Sequence, residues 1–120
     1  MRKILIVDDE ETNQRLFKAI LEAKGYETLQ AYDGDECIKI AREYQPDLIL
    51  MDIQIPGIDG IEVFKVLQSE LLTRNIPVIA LTSYAMGGDR EKFLSIGFKD
   101  YIAKPISVPE FVELVSSHCS

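Results

Sequence analysis

The chain is poor in the features that mark most specialised classes. It has two cysteines, Cys37 and Cys119, without metal-ligand spacing or a redox pair motif. Cys37, inside an expected helix, reads as a small packing residue, and the chain as one working in a reducing, cytoplasmic compartment. Met1-Arg2-Lys3 leads directly into a short apolar run, without the long apolar region and small-residue cleavage site of a signal peptide. No apolar run approaches the length of a membrane span. There is no run of Lys or Arg. The formal net charge of −7 argues against DNA or an anionic membrane as partner, because neither gains from counterion release at a surface of the wrong sign. Internal repeats, low-complexity segments and linkers are also lacking. One domain over residues 1–120 is expected, ending a few residues after its last helix with no output domain.

An apolar fraction of 47% and a charged fraction of 28% are those of an ordinary globular protein, so disorder is not expected. A chain of this length buries about two thirds of its unfolded surface and forms a core without staples.

Ile4-Leu5-Ile6-Val7, Leu48-Ile49-Leu50-Met51 and Val78-Ile79-Ala80-Leu81 are continuous apolar runs, as strands covered on both faces should be. They read as central parallel strands. Glu27-Thr28-Leu29-Gln30-Ala31 alternates, which suits an edge strand, and Tyr101-Ile102-Ala103 is a fifth run.

Helical spacing follows each run. Leu16, Phe17, Ile20 and Leu21 form one stripe, with Gly25 as a stop. A second helix spans Gly34 to Glu43, ending before Gln45-Pro46. A third runs from Ile61 to about Leu71, with Ile61, Phe64, Leu67 and Leu71 on one side. A fourth runs from Asp89 to Ile96 and is stopped by Gly97. The last covers Val108 to Ser117, with Val108, Phe111, Val112 and Val115 facing inward. Five βα units predict an α/β protein, a doubly wound parallel sheet.

The polar residues that end the runs carry the chemistry. Asp8-Asp9, Asp52, Thr82 and Lys104 all follow apolar strands, and an open α/β sheet places its site at that edge. Singly, each is a weak sign. A strand-end aspartate is commonly a helix cap, Asp8-Asp9-Glu10-Glu11 could be a solvated turn, Thr82 a turn residue and Lys104 a surface lysine. Jointly, three carboxylates call for a hard cation, and Mg²⁺ is the natural one. A screened carboxylate can accept a phosphoryl group as a mixed anhydride, with a hydroxyl and an ammonium to bond its oxygens.

These residues give the chain a strong resemblance to the receiver domain of two-component response regulators. It rests on Ile-Leu-Ile-Val-Asp8-Asp9, Leu-Ile-Leu-Met-Asp52-Ile-Gln-Ile-Pro56-Gly57 with Gly60, Leu-Thr82-Ser-Tyr-Ala and Lys104-Pro105, and no matched position departs from the pattern. The resemblance implies a flavodoxin-like (βα)5 sheet of order 2-1-3-4-5. It implies Asp52 as phosphoacceptor, and Asp8, Asp9, Asp52 and the backbone carbonyl of Gln54 as ligands of Mg²⁺, or of Mn²⁺ in its place. Thr82 and Tyr101 become the switch pair, Lys104 the phosphate's counter-charge and Pro105 a cis-peptide candidate. Gln54 and Tyr84 stand where relatives tune the lifetime of the phosphate. Tyr101 also reads as a plain edge-strand aromatic. Gly87-Gly88 makes the loop after Thr82 permissive. His118 reads as an ordinary terminal-helix residue.

The implied function is a stand-alone signalling switch. It takes phosphate from a histidine kinase or phosphotransfer protein and presents an altered face of fourth helix, fifth strand and fifth helix to a downstream protein. It acts as a monomer or a weak phosphorylation-dependent dimer, without nucleic acid or membrane. Tyr-Glu-Thr-Leu-Gln, Ala-Met-Gly-Gly-Asp and Lys-Pro-Ile-Ser-Val resemble single-domain regulators of cell division and polarity. A phosphatase of the haloacid dehalogenase type needs a second acid two residues after its nucleophile, and Gln54 stands there. A start at Asp8-Asp9 lacks the Asp-x-Asp spacing. A flavin-binding module needs a Ser/Thr/Gly loop after the first strand, where this chain has four acids. The expectation is therefore a switch and not an enzyme, with a phosphorylation-independent adaptor of the same fold as the alternative.

Overall fold

The computed structural model describes residues 2–55, 57, 59–82 and 89–118. Five strands, β1 (Lys3–Val7), β2 (Glu27–Ala31), β3 (Leu48–Asp52), β4 (Val78–Thr82) and β5 (Asp100–Ala103), alternate with five helices. These are α1 (Glu11–Ala23), α2 (Gly34–Tyr44), α3 (Gly60–Ser69), α4 (Asp89–Ile96) and α5 (Val108–His118). All strand pairs are parallel and the order is β2-β1-β3-β4-β5, as expected.

Strand periodicity sorts the core into two layers. Leu5, Val7, Ile49, Met51, Val78 and Ala80 pack with Cys37, Val63, Phe64, Leu67, Phe93 and Phe98 of α2, α3 and α4 and the loop after it. Their neighbours Ile4, Ile6, Leu48, Leu50, Ile79 and Leu81 pack with Phe17 and Leu21 of α1 and Phe111 and Val115 of α5. Burial on both faces is why the three central runs carry no polar alternation. Stacked rings close each layer, Phe64 on Phe98 at 4.1 Å and Phe17 on Phe111 at 5.2 Å between centroids. Cys37 is buried, and that burial pushes its thiol up to about 12, as suits a packing residue.

Helix ends follow local chemistry. The Asp33 carboxylate accepts the Glu36 N–H at the start of α2, and Asp59 accepts the N–H groups of Ile61 and Glu62 at the start of α3. The expected stops at Gly25 and Gly97 hold, with φ of +91° and +129°.

Three apolar expectations are corrected. α3 ends at Ser69 because Glu70 turns to extended backbone, and the Thr73 hydroxyl caps the Leu67 carbonyl at 2.7 Å. Leu71 therefore leaves the core and is 74% exposed. Leu16 is exposed as well, and the inward face of α1 is instead Gln14, Phe17 and Leu21. Val108 opens α5 one turn before its buried contacts begin and is also exposed.

Gly60 fixes the path of the chain beyond β3. A Cβ there would lie 2.8 Å from the Ile53 Cα and 3.0 Å from the Asp52 carbonyl oxygen, both backbone atoms. The Gly60 N–H donates to the Ile53 carbonyl at 3.0 Å, so the two segments cannot separate without losing that bond. Gly60→Ala is expected to cost about 1–3 kcal/mol, as overpacking does, and urea unfolding checks it. Wild-type stability in that variant would contradict the close approach.

Candidate functional site

Strand register brings the polar run-ends together. Val7 is level with Met51, Asp52 with Leu81 and Thr82 with Ala103, so Asp8, Asp52, Thr82 and Lys104 reach one edge of the sheet. Asp52 and Thr82 are the last residues of β3 and β4, while Asp8 and Lys104 follow β1 and β5 directly. Asp8, Asp52 and Thr82 are buried, Lys104 is half-buried and Asp9 is exposed.

One ammonium joins two carboxylates. Lys104 Nζ donates to Asp52 Oδ2 at 2.9 Å and to Asp8 Oδ2 at 3.0 Å. The other oxygens are held by main chain: Asp52 Oδ1 accepts the Gln54 N–H at 3.0 Å, and Asp8 Oδ1 accepts the Glu10 N–H at 2.9 Å. Gln54 reaches further, its Nε2 donating to Thr82 Oγ1 at 2.8 Å. A single residue thus touches both the buried carboxylate of β3 and the hydroxyl of β4. The Lys104 N–H donates to the Thr82 carbonyl at 2.8 Å, and the Lys104–Pro105 peptide is cis, as expected.

Burial pushes the Asp52 carboxyl above its ordinary range, and the nearby Asp8 charge adds to this, against the pull of Lys104 and the Gln54 N–H. Burial also opposes the Lys104 charge. Its hydrogen bonds to Asp52 and Asp8 more than offset that, and the ammonium is held above the usual lysine range.

One oxygen each from Asp8, Asp9 and Asp52 lie within 4.8 Å of one another. A compact all-oxygen donor set of this kind, open on the Asp9 side, suits a hard cation such as Mg²⁺, which completes its shell with waters.

Tyr101 is half-buried and stacks on Phe93 of α4, with ring centroids 5.5 Å apart. Beside it Asp100 gathers Arg90 of α4 at 2.8 Å and His118 of α5 at 3.1 Å. Burial would raise the Asp100 carboxyl, but the Tyr101 N–H, His118 and Arg90 together hold it below the usual range. Tyr84 and Gly87-Gly88 lie outside the described residues. Gln14 and Asp100 had not been singled out from sequence. For Gln14 the signal was there: it precedes Phe17 and Leu21 at i+3 and i+7, a polar residue in an apolar stripe.

The family model for the response regulator receiver domain matches residues 4–116. The polar-differentiation response regulators DivK of Brucella anthropi and Brucella ovis are each 49% identical over 117 residues, covering 98% of this chain and 95% of theirs. The receiver domain of Francisella response regulator 1452 superposes with a TM-score of 0.90 at 30% identity, covering 98% of this chain and 95% of that one. The receiver domain of sensor histidine kinase PA1611 from Pseudomonas aeruginosa PAO1, solved with a magnesium ion coordinated in its active site cleft, gives 0.88 at 34% identity. It covers 98% of this chain and 96% of its own.

Proposed function

Because the chain belongs to the response regulator receiver domain family, we propose that it is a signalling switch that accepts a phosphoryl group on Asp52. The observation that carries this is the Asp52 carboxylate itself, buried, oriented by the Gln54 N–H and paired with Lys104 beside two further carboxylates. Asp8, Asp9, Asp52 and the Gln54 carbonyl would hold Mg²⁺, which when bound screens the carboxylates from an anionic donor and neutralises charge on the transferring group.

The chain's own residues supply the rest. An Asp52 oxygen bonds to phosphorus as the donor's bond to phosphorus breaks, and the electron pair of that bond leaves with the donor. Lys104, already 2.9 Å from Asp52 Oδ2, follows the negative charge onto the phosphoryl oxygens. The Thr82 hydroxyl, held by Gln54, turns to donate to one of those oxygens. Tyr101 and α4 then repack, which alters the face of α4, β5 and α5 presented to a downstream protein.

The donor is a histidine kinase or phosphotransfer protein. Leu16, exposed on α1, lines a groove with Asn13, Phe17, Pro105 and Ile106 that runs up to Lys104, which offers an apolar seat next to the reacting oxygens. The 49% identity with DivK proteins over 95% of their length supports a role in polar differentiation. No helix among the described residues is long and apolar enough to cross a membrane.

The test is phosphotransfer. A phosphotransfer domain carrying labelled phosphohistidine is expected to pass its label to the wild-type chain with Mg²⁺ and to pass none to Asp52→Asn. Equal labelling of the variant would place the acceptor elsewhere.

A further inference from the structure

We infer that Gln14 is a positioning residue for the carboxylate turn, holding the Asp8–Asp9 peptide so that both acids face Asp52. The inference rests on the proposed cation site and concerns a residue that is no ligand in it. Gln14 sits on the inner face of α1 and is fully buried. Its Nε2 lies within hydrogen-bond distance of three main-chain carbonyls, Ala31 at 2.8 Å, Asp8 at 3.0 Å and Ile6 at 3.1 Å, and its two N–H groups are shared among them. Two belong to the end of β1 and the turn beyond it, and the third closes β2.

The ladder between β1 and β2 gives out here. The Asp8 N–H donates to the Ala31 carbonyl at 3.1 Å, after which the chain turns into α1. The Asp8 carbonyl lies past the end of that ladder, where a carbonyl would ordinarily bond to water. Water is excluded by α1, and Gln14 replaces it from inside. Asp8 is thereby fixed on four sides: its N–H by Ala31, its carbonyl by Gln14, and its carboxylate by the Glu10 N–H and Lys104. The Asp8 carbonyl belongs to the same planar peptide unit as the Asp9 nitrogen, so the bond from Gln14 sets the plane from which Asp9 departs.

The other end of the amide is idle. Gln14 Oε1 is buried and has no hydrogen-bond partner among the described residues. Turning the amide over would set that oxygen against three carbonyl oxygens, so the orientation is fixed by the contacts. A leucine or methionine would cover the same sheet surface without burying an unpaired acceptor. The three carbonyls are therefore what an amide serves here, and the one at Asp8 belongs to the site.

Gln14→Met keeps the length and apolar contact and removes the donors. Two readouts are compared with Leu21→Ala, a destabilising change on the same buried face of α1 away from the site. Without metal, amide hydrogen exchange at Asp8 and Glu10 is expected to quicken in Gln14→Met relative to the rest of β1, whereas Leu21→Ala changes exchange without singling out these two. With metal, calorimetric Mg²⁺ affinity is expected to fall about tenfold or more in Gln14→Met, as it does when outer partners of ligands are removed, and to hold in Leu21→Ala. Gln14→Asn, one methylene too short, serves the same comparison if Gln14→Met does not fold. Unchanged exchange at Asp8 and Glu10 overturns the inference, and so does equal loss of Mg²⁺ affinity in both variants. Wild-type protein that binds no Mg²⁺ contradicts the proposed cation site instead, and the exchange comparison then decides on Gln14 alone.

Discussion

Lys104→Met is expected to lower stability by about 2 kcal/mol in metal-free solution, a discount from the ~3–5 kcal/mol of breaking a fully buried pair because Lys104 retains some solvent contact. For a chain of this size that is roughly 8 °C in Tm. The loss arises because Lys104 is the ammonium bonded to both Asp8 and Asp52. Without it, two buried carboxylates face each other across the pocket. Mg²⁺ at saturating concentration is expected to recover much of the difference, since it supplies the missing charge through the same oxygens.

The pH dependence has a definite sign. The folded-state ammonium is held above the ordinary lysine range, so its contribution is fully present below that range and is lost as pH rises through the raised value. Wild type and Lys104→Met should therefore converge in strongly alkaline solution. Thermal melts with and without Mg²⁺ across this range check both statements. A deficit that Mg²⁺ leaves unchanged would mean that Lys104 serves packing and not charge.

Thr82→Ala is expected to take up phosphate and fail to switch. Moving an equilibrium from about 1:99 to 99:1 needs roughly 5.5 kcal/mol of differential stabilisation. One charge-assisted hydrogen bond contributes about 1.5–3 kcal/mol, so Lys104 alone leaves a partial shift and Lys104 with Thr82 about suffices. In the resting state the Thr82 oxygen accepts from Gln54, and that bond must give way when the hydroxyl moves. Labelling stoichiometry should stay near wild type, while the phosphorylation-induced change in the Tyr101 ring resonances, which report on its stack with Phe93, should shrink severalfold. A full Tyr101 response in the variant would remove Thr82 from the coupling.

Most of the fold was legible because both faces of the sheet are covered. That makes β1, β3 and β4 continuous apolar runs, and each is punctuated by a polar residue. Two of the three misplaced side chains, Leu71 and Val108, lay at element ends. Leu71 matched the helical period, yet the Thr73 cap on Leu67 ended α3 first, a contact six residues apart that periodicity does not encode. Leu16 had the right spacing but the wrong phase, since Gln14 takes the inward position on α1, and Val108 had the right phase but stands at the start of α5, ahead of its buried turns.

At the site, residue types and strand-end positions gave Asp8, Asp9, Asp52, Thr82 and Lys104, because strand ends in a parallel sheet converge whatever their sequence separation. What sequence could not supply was pairing. Lys104 bridges Asp8 and Asp52 across 96 and 52 residues, and Gln54 reaches Thr82 across 28. Gln14 stood out as a polar residue in the α1 stripe, but its partners, all main-chain carbonyls, were not legible from residue types.

The central claim is that Asp52 accepts the phosphoryl group in a site that works with Mg²⁺. Intact mass after incubation with a small acyl phosphate tests it without any partner protein. The account predicts one alkali-labile phosphoryl adduct on the wild-type chain in Mg²⁺, none after chelation and none on Asp52→Asn. An adduct that persists in Asp52→Asn, or a wild-type chain that Mg²⁺ and acyl phosphate leave unlabelled, would contradict it.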